Sequence, residues 1–424
     1  MPQFFTRQRF GRPQFLAGAL LLIFLAQALW LVRRELAHSE LQHGELHVPE
    51  SPAAVSPGAS EQVRIAAGWR QIHGEGIAGA PFPDSPGSLP MEVSPDADNF
   101  DTEHSPLLSL VTAAPLLAWP RAFATPESYS PWLPRLPFLA FGVFLGASLW
   151  YVSRRLCGNP GGFLALTLYC FSPAILQATA VWHAEPEILA AWGSFGAIFT
   201  AIAVAHTLYA PREVILWNWR RIVLLGVSLA IAVGSQFSTI IILPIALAFM
   251  LYLAPIRRAA ALAIWAAACL VAILILFAIY FFHPHAFVEG MRHASFWGAT
   301  WRGFTVPAVY RAAALQILRA CPAFALLMPV AIGVYCTWPR TRYFGNTAPL
   351  LVGMFFIALG IAHPHLAGAG FLLASVPFLL IFVSGILADL AETPYRSIVV
   401  ACTWALVGAY VFWSLSALFR VPRG

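Results

Sequence analysis

The chain reads as an all-α, polytopic membrane protein, with about eleven spans and one large external loop after the first. Three observations predict this. Hydrophobic residues make up 59% of the 424 and charged residues only 10%, whereas a soluble chain carries about 25% charged residues. The charge is unevenly placed, since residues 35–105 hold 12 of the 19 acidic residues and two arginines, Arg64 and Arg70. The remainder is a succession of apolar runs of about 20 residues, the length that crosses a bilayer core.

Taken in order, residues 1–14 are polar and 15–32 are continuously apolar. A signal peptide begins this way, but Arg33-Arg34 stands where a small-residue cleavage site would be. The stretch 15–32 therefore predicts an uncleaved first span with its N-terminus in the cytoplasm. Residues 33–133 form the external acidic loop. Within it, Ser60 to His73 predicts a helix capped by Ser60 and ended by Gly74. Residues 49–60 and 80–95 are loop, and the short apolar stretch 106–120 predicts a helix lying in the outer interface. Spans follow at 134–153, 161–181 and 187–208. Residues 222–254 are too long for one crossing, and Ser235-Gln236-Phe237-Ser238 divides them into two short helices. A span at 259–281, an external loop at 283–320, and spans at 321–338, 346–362, 369–389 and 397–418 complete a single membrane domain, 1–424. With this topology Arg154-Arg155, Arg212 with Arg220-Arg221, Arg257-Arg258, Arg340 with Arg342, and Arg396 all fall on inner links, the positive-inside pattern. The acidic loop, Glu185, Glu187 and 283–320 then lie outside.

Composition excludes several functions. All 25 basic residues are arginine, which removes lysine Schiff-base chemistry. The formal charge of +6 is scattered over loops, with no module for nucleic acid. The six cysteines lie in or beside apolar segments without a C-x-x-C pair, so neither a disulfide framework nor a thiolate metal site is indicated. A transporter or flippase of a lipid-linked solute is an alternative class. It would place ionised residues within spans or show an inverted repeat, whereas the spans are almost free of ionised residues, Asp389 lying at a helix end, and no inverted repeat stands out.

Three groups of carboxylates converge on the outer face: Glu61, Asp101 with Glu103, and Glu185 with Glu187. Any one of them could be a solvated turn residue. Glu185 and Glu187 stand out, because ionised groups in a short link between apolar spans are costly unless paired or functional. His104 follows Glu103 and His183 precedes Glu185. His283-Pro284-His285 and His363-Pro364-His365 each end a span. Such turns could bind a metal or a phosphate, or simply suit a helix end. Arg292, Arg302, Arg311 and Arg319 accompany Phe296, Trp297, Trp301 and Tyr310. Guanidinium forks suit phosphate oxygens, and the same residues would equally make an aromatic belt with headgroup-facing arginines.

The order of these pieces resembles the polyprenyl-phosphate-sugar-dependent, type C (GT-C) integral-membrane glycosyltransferases, in their protein mannosyltransferase-like and aminoarabinose-transferase-like branches. The matching pieces are Ser60-Glu61…Gly74 after span one and Glu103-His104-Ser105-Pro106-Leu107 before an interfacial helix. They continue with Arg135-Leu136-Pro137-Phe138, Arg154-Arg155-Leu156-Cys157-Gly158, Ser172-Pro173, the Glu185-Pro186 turn and the broken pair 222–254. The last is the polar turn from His363 through Val376-Pro377. Glu61 stands where the family has Asp, and Gln236 where it has Lys. The resemblance implies inverting transfer from a polyprenyl-phosphate sugar donor to a glycan, lipid or protein acceptor at the outer face of a bacterial-type inner membrane. It implies a catalytic base at Glu61, with Glu103 as the alternate. Glu185 would orient groups or help Glu103 bind a divalent ion, and Arg292 or Arg302 would stabilise the leaving phosphate. Asp101, His104, His183, His363 and His365 would line the substrate site. A catalytically inactive subunit of an envelope complex is the other reading of the same pieces.

Overall fold

The computed structural model describes residues 12–44, 65, 67–73, 103–118, 132–180, 187–209, 219–296, 301–362 and 370–419. Among them every regular element is helical, as hydrocarbon demands of a chain that must pair its own backbone groups. In chain order these are α1 (Arg12–Gly44), α2 (67–72), α3 (Leu107–Ala113), α4 (Leu136–Cys170), α5 (Pro173–Ala180), α6 (Glu187–Thr207) and α7 (Trp219–Ser235). There follow α8 (Ile242–Leu253), α9 (Arg258–Ile279), α10 (Pro284–His293), α11 (Pro307–Ala320), α12 (Phe324–Thr337), α13 (Phe344–Ala362), α14 (Phe371–Leu390) and α15 (Arg396–Phe419). The chain groups into two compact units. The first comprises residues 1–31, 139–181 and 299–424, the second 32–138 and 182–298.

In the first unit, the expected spans 134–153 and 161–181 occur as two arms that fold back on each other. Helical hydrogen bonding continues through α4, but Gly158 has φ 72° and ψ −177°, a conformation open to glycine and strained for other residues. The Tyr169 hydroxyl donates to the Gly142 carbonyl at 2.5 Å and Ser153 to Gly161 at 3.1 Å, so the arms face each other about that turn. Gln27, set in the apolar run of α1, donates to the Cys170 carbonyl at 3.2 Å. That carbonyl lies where the helix breaks at Ser172-Pro173, and Ser172 in turn donates to Ala320 at 2.6 Å. The helix α14 is the centre of this unit, with every residue from Phe371 to Leu387 buried. On α13, Gly353 and Gly360 let it approach the side chains of Leu379 and Leu372. The helices α11 and α12 meet at 104°.

In the second unit, α6 and α7 run antiparallel with their backbones nearly touching. A Cβ on Gly193 would lie 2.5 Å from the Ala232 nitrogen and 2.8 Å from the Ser228 oxygen. On α9, the Trp265 indole donates to the Leu243 carbonyl at 3.0 Å and ties that helix to α8. After α9 the chain reverses through Phe281 and Phe282, at φ 51° and 58°. Each left-handed phenylalanine costs about 1 kcal/mol. Contacts of Phe277 with the rings of Phe282 and Phe287, both at 5.4 Å between centroids, hold the reversal.

Seven helices among the described residues are long and apolar enough to cross a membrane, or eight if the bent α11–α12 pair counts as one span. The fold class is thus all-α and polytopic, while the expected count of about eleven is not reached. At 17 and 12 residues, α7 and α8 are short for a crossing, and the two expected spans within α4 are two helices that meet at Gly158.

Candidate functional site

The second unit gathers several of the outer-face pieces at the interruption between α7 and α8. The interruption exists because Ser235, Gln236, Ser238 and Thr239 interrupt an otherwise apolar sequence. Gln236 is extended, at φ −153° and ψ 115°, and a 3-10 turn, Phe237–Ile241, leads into α8. A helix end leaves carbonyls without intrahelical partners. Here the Gly234 carbonyl accepts from the Ser105 nitrogen at 3.2 Å and the Ser105 hydroxyl at 2.6 Å. Three residues further on, the Phe237 nitrogen donates to the Glu103 carbonyl at 2.9 Å. The Glu103–Leu107 turn is therefore laid antiparallel along the break and pinned on both sides of Gln236, which is itself buried.

Apolar packing carries the interfacial helices to the same end. Val233, Phe237, Leu276 and Ile279 form a buried cluster, covered by Leu107 and Leu110 of α3, Phe287 and Met291 of α10, and Phe296. The loop helix α2 packs against α3, because Gly68 lets it come within contact of the Ser109 carbonyl. Gln71 is buried and donates to the Ile279 carbonyl, at the open C-terminal end of α9, at 3.0 Å. Replacing Gln71 by leucine leaves that buried carbonyl short of a donor, at a cost of about 1–3 kcal/mol. Faster protease cleavage within 45–100, measured on vesicle-reconstituted protein, is the expected result.

Glu103 is exposed and His104 half-buried on this turn. Of the pair Glu185 and Glu187 that the sequence singled out, Glu187 lies among the described residues, as the first residue of α6 and 8% exposed. Gly193 lies level with Ala232, and Gly196 with Ser228. Continuing that antiparallel register brings Glu187 to within about one helical turn of Gln236. A carboxylate at a helix N-terminus is favoured by the helix dipole, which helps it tolerate burial. Arg135 is also buried, in the short turn that packs near α3. Arg292 lies on α10, well exposed, with its guanidinium 3.0 Å from Glu289 one turn back. That partner was legible only as an i,i+3 spacing. The exposed pair is worth at most about 1 kcal/mol, so Glu289 holds the Arg292 guanidinium only weakly.

Glu61, Asp101, His183, Glu185, His363 and His365 lie outside the described residues, as does the side chain of Arg302. Among the described residues no three His, Cys, Asp or Glu side chains gather to hold a metal ion. The described residues therefore do not form a divalent-ion site by themselves.

No protein-family model matches the chain, and no curated protein matches it by sequence. Among solved structures it is similar to ArnT from Cupriavidus metallidurans in the apo state. That likeness has a TM-score of 0.51 and 14% identity over 81% of this chain and 58% of ArnT. The chain is also similar to the Archaeoglobus fulgidus oligosaccharyltransferase in the apo form, at a TM-score of 0.56 and 13% identity over 95% of this chain and 56% of the other. The same enzyme tethered to an acceptor peptide containing the NVT sequon matches at 0.54 and 10% identity, covering 97% and 56%. The chain thus spans a little over half the length of the structures it matches. At these identities the likeness is one of fold, and the fold is GT-C-like.

Proposed function

We propose that the chain is a membrane glycosyltransferase that moves a sugar from a polyprenyl-phosphate donor to an envelope acceptor at the outer face of the inner membrane. One observation carries the reading: within a GT-C-like fold, the Glu103 turn is pinned to the break between α7 and α8, at the end where α6 presents Glu187. Glu103 is the base in this reading, with Glu61 as the alternate. Its carboxylate takes the proton from an acceptor hydroxyl or amine. The acceptor atom bonds to the anomeric carbon from the face opposite the phosphate, which inverts the centre. The carbon–oxygen bond to phosphate breaks, and its electron pair leaves on the phosphate oxygen. Arg292 stabilises that oxygen by turning from Glu289. Glu187 and Glu185 orient the acceptor, and His104, Asp101 and His183 line the approach. The membrane holds donor and enzyme in one plane, which raises the donor's effective concentration.

The test is donor binding followed by transfer. Purified protein in lipid nanodiscs is titrated with polyprenyl-phosphate sugars and then offered glycan, lipid and peptide acceptors. Binding with transfer supports the reading. Binding without transfer makes the chain a donor-binding, non-catalytic subunit, and absence of both overturns the proposal.

A further inference from the structure

We propose that Ser105 is a positioning residue, which fixes the Glu103 carboxylate to the interruption between α7 and α8. This rests on the reading of Glu103 as base and adds the device that holds it. The Ser105 side chain is 3% exposed. Its hydroxyl donates to the Gly234 carbonyl at 2.6 Å and accepts from the Leu107 nitrogen at 3.2 Å. Its backbone nitrogen donates to the same Gly234 carbonyl at 3.2 Å, and the Ser105 carbonyl accepts from Leu108 at 3.4 Å.

One hydroxyl thus joins the end of α7, the turn and the start of α3. Its single proton and one of its lone pairs are both spent, and no apolar side chain can do this. The neighbour on one side, Pro106, has no N–H to offer. On the other side the Glu103 carbonyl, bonded to Phe237, ties the turn down along its backbone. With the serine hydroxyl gone, the turn loses its 2.6 Å hydrogen bond to the break and its tie to the start of α3.

Gly234 completes the device. A Cβ there would meet the Leu107 Cδ2 at 2.8 Å, the Leu276 Cδ2 at 3.0 Å and the Ser105 Oγ at 3.3 Å. The absence of a side chain at 234 is what lets the turn seat. Ser105→Ala and Gly234→Ala therefore disturb one contact from its two sides, and their effects should not add. A helix cap alone would make Ser105 a contributor to stability. A positioning role makes it a contributor to rate, since misplacing a reacting group by about 1 Å can cost on the order of 10²-fold.

The experiment uses the full chain in nanodiscs with a polyprenyl-phosphate sugar as donor. Ser105→Ala is expected to lower kcat about tenfold, with donor KM within about twofold, while Ser105→Thr recovers most of the rate. The Ser105→Ala/Gly234→Ala double variant should be no slower than the worse single variant. Unchanged kcat, a loss confined to KM, or additive losses overturn the proposal. Amide hydrogen exchange at Phe237 reads the same contact without activity. It is expected to quicken in Ser105→Ala while α6 and α9 keep their protection, and unchanged exchange overturns the positioning role. Quickened exchange in a protein that transfers no sugar leaves the clamp standing and removes the glycosyltransferase reading instead.

Discussion

Glu103→Gln is expected to slow sugar transfer by about 10² to 10⁴, the contribution of a positioned general base. Glutamine keeps the shape of the side chain and cannot take the acceptor's proton. The turn itself should stay in place, because Glu103 is held there through its backbone carbonyl, which accepts from Phe237 at 2.9 Å. Membrane insertion, expression and melting temperature should match those of the parent. Glu185→Gln, in the link that leads into α6, should lose transfer in the same way. Initial rates with purified donor and acceptor measure both variants. Transfer at the parental rate by Glu103→Gln would take the base role from this residue and leave Glu61 to be tested next.

Gly193→Val is expected to have the largest effect on folding. The atoms nearest a Cβ at this position are the Ala232 nitrogen at 2.5 Å, the Ser228 oxygen at 2.8 Å and the Ala232 Cα at 2.9 Å. All three belong to backbone, so no side chain can rotate aside. Close approach through small residues is how membrane helices gain contact without a hydrophobic driving force. Forcing α6 and α7 apart costs about 1–3 kcal/mol for the first methyl groups, and it displaces Glu187 and the break together. A marked fall in melting temperature and loss of transfer are expected. Gly408→Ala is the control, because nothing lies within 4 Å of a Cβ there, and its melting curve should overlay the parent's. A Gly193→Val protein that melts like the parent would contradict the close α6–α7 packing.

Much of the fold was legible because a bilayer imposes length and composition on each span. The runs at 187–208, 259–281, 346–362, 369–389 and 397–418 became α6, α9, α13, α14 and α15 within a few residues. The break at Ser235–Ser238 was legible too, since polar side chains in an apolar run stop a helix from continuing unpaired. The meeting of that break with the Glu103 turn was not. It is made by backbone groups of Glu103, Ser105, Gly234 and Phe237 together with the Ser105 hydroxyl, and the backbone partners carry no trace in the sequence. Glu187 was singled out with Glu185, and the resemblance gave the role to Glu185 through the Glu185-Pro186 turn; only the register of α6 on α7 shows which end of the unit Glu187 occupies. Arg292 was found as a cation, but its pairing with Glu289 depends on α10 being a helix of its own within what reads as a loop. The expected division of 222–254 into two short helices is met by α7 and α8, each shorter than the runs that qualify as spans among the described residues.

That shortness bears on the lipid around the protein. At 17 residues, α7 extends ~26 Å, against a hydrocarbon core of ~30 Å. A bilayer meets a short helix by thinning beside it. In the proposed orientation the outer headgroups dip toward Gln236, and the phosphate of a lipid-linked donor there sits lower than those of lipids elsewhere in the leaflet. Acyl-chain length of the surrounding membrane thereby becomes a variable of the reaction, set by two helices that stop short.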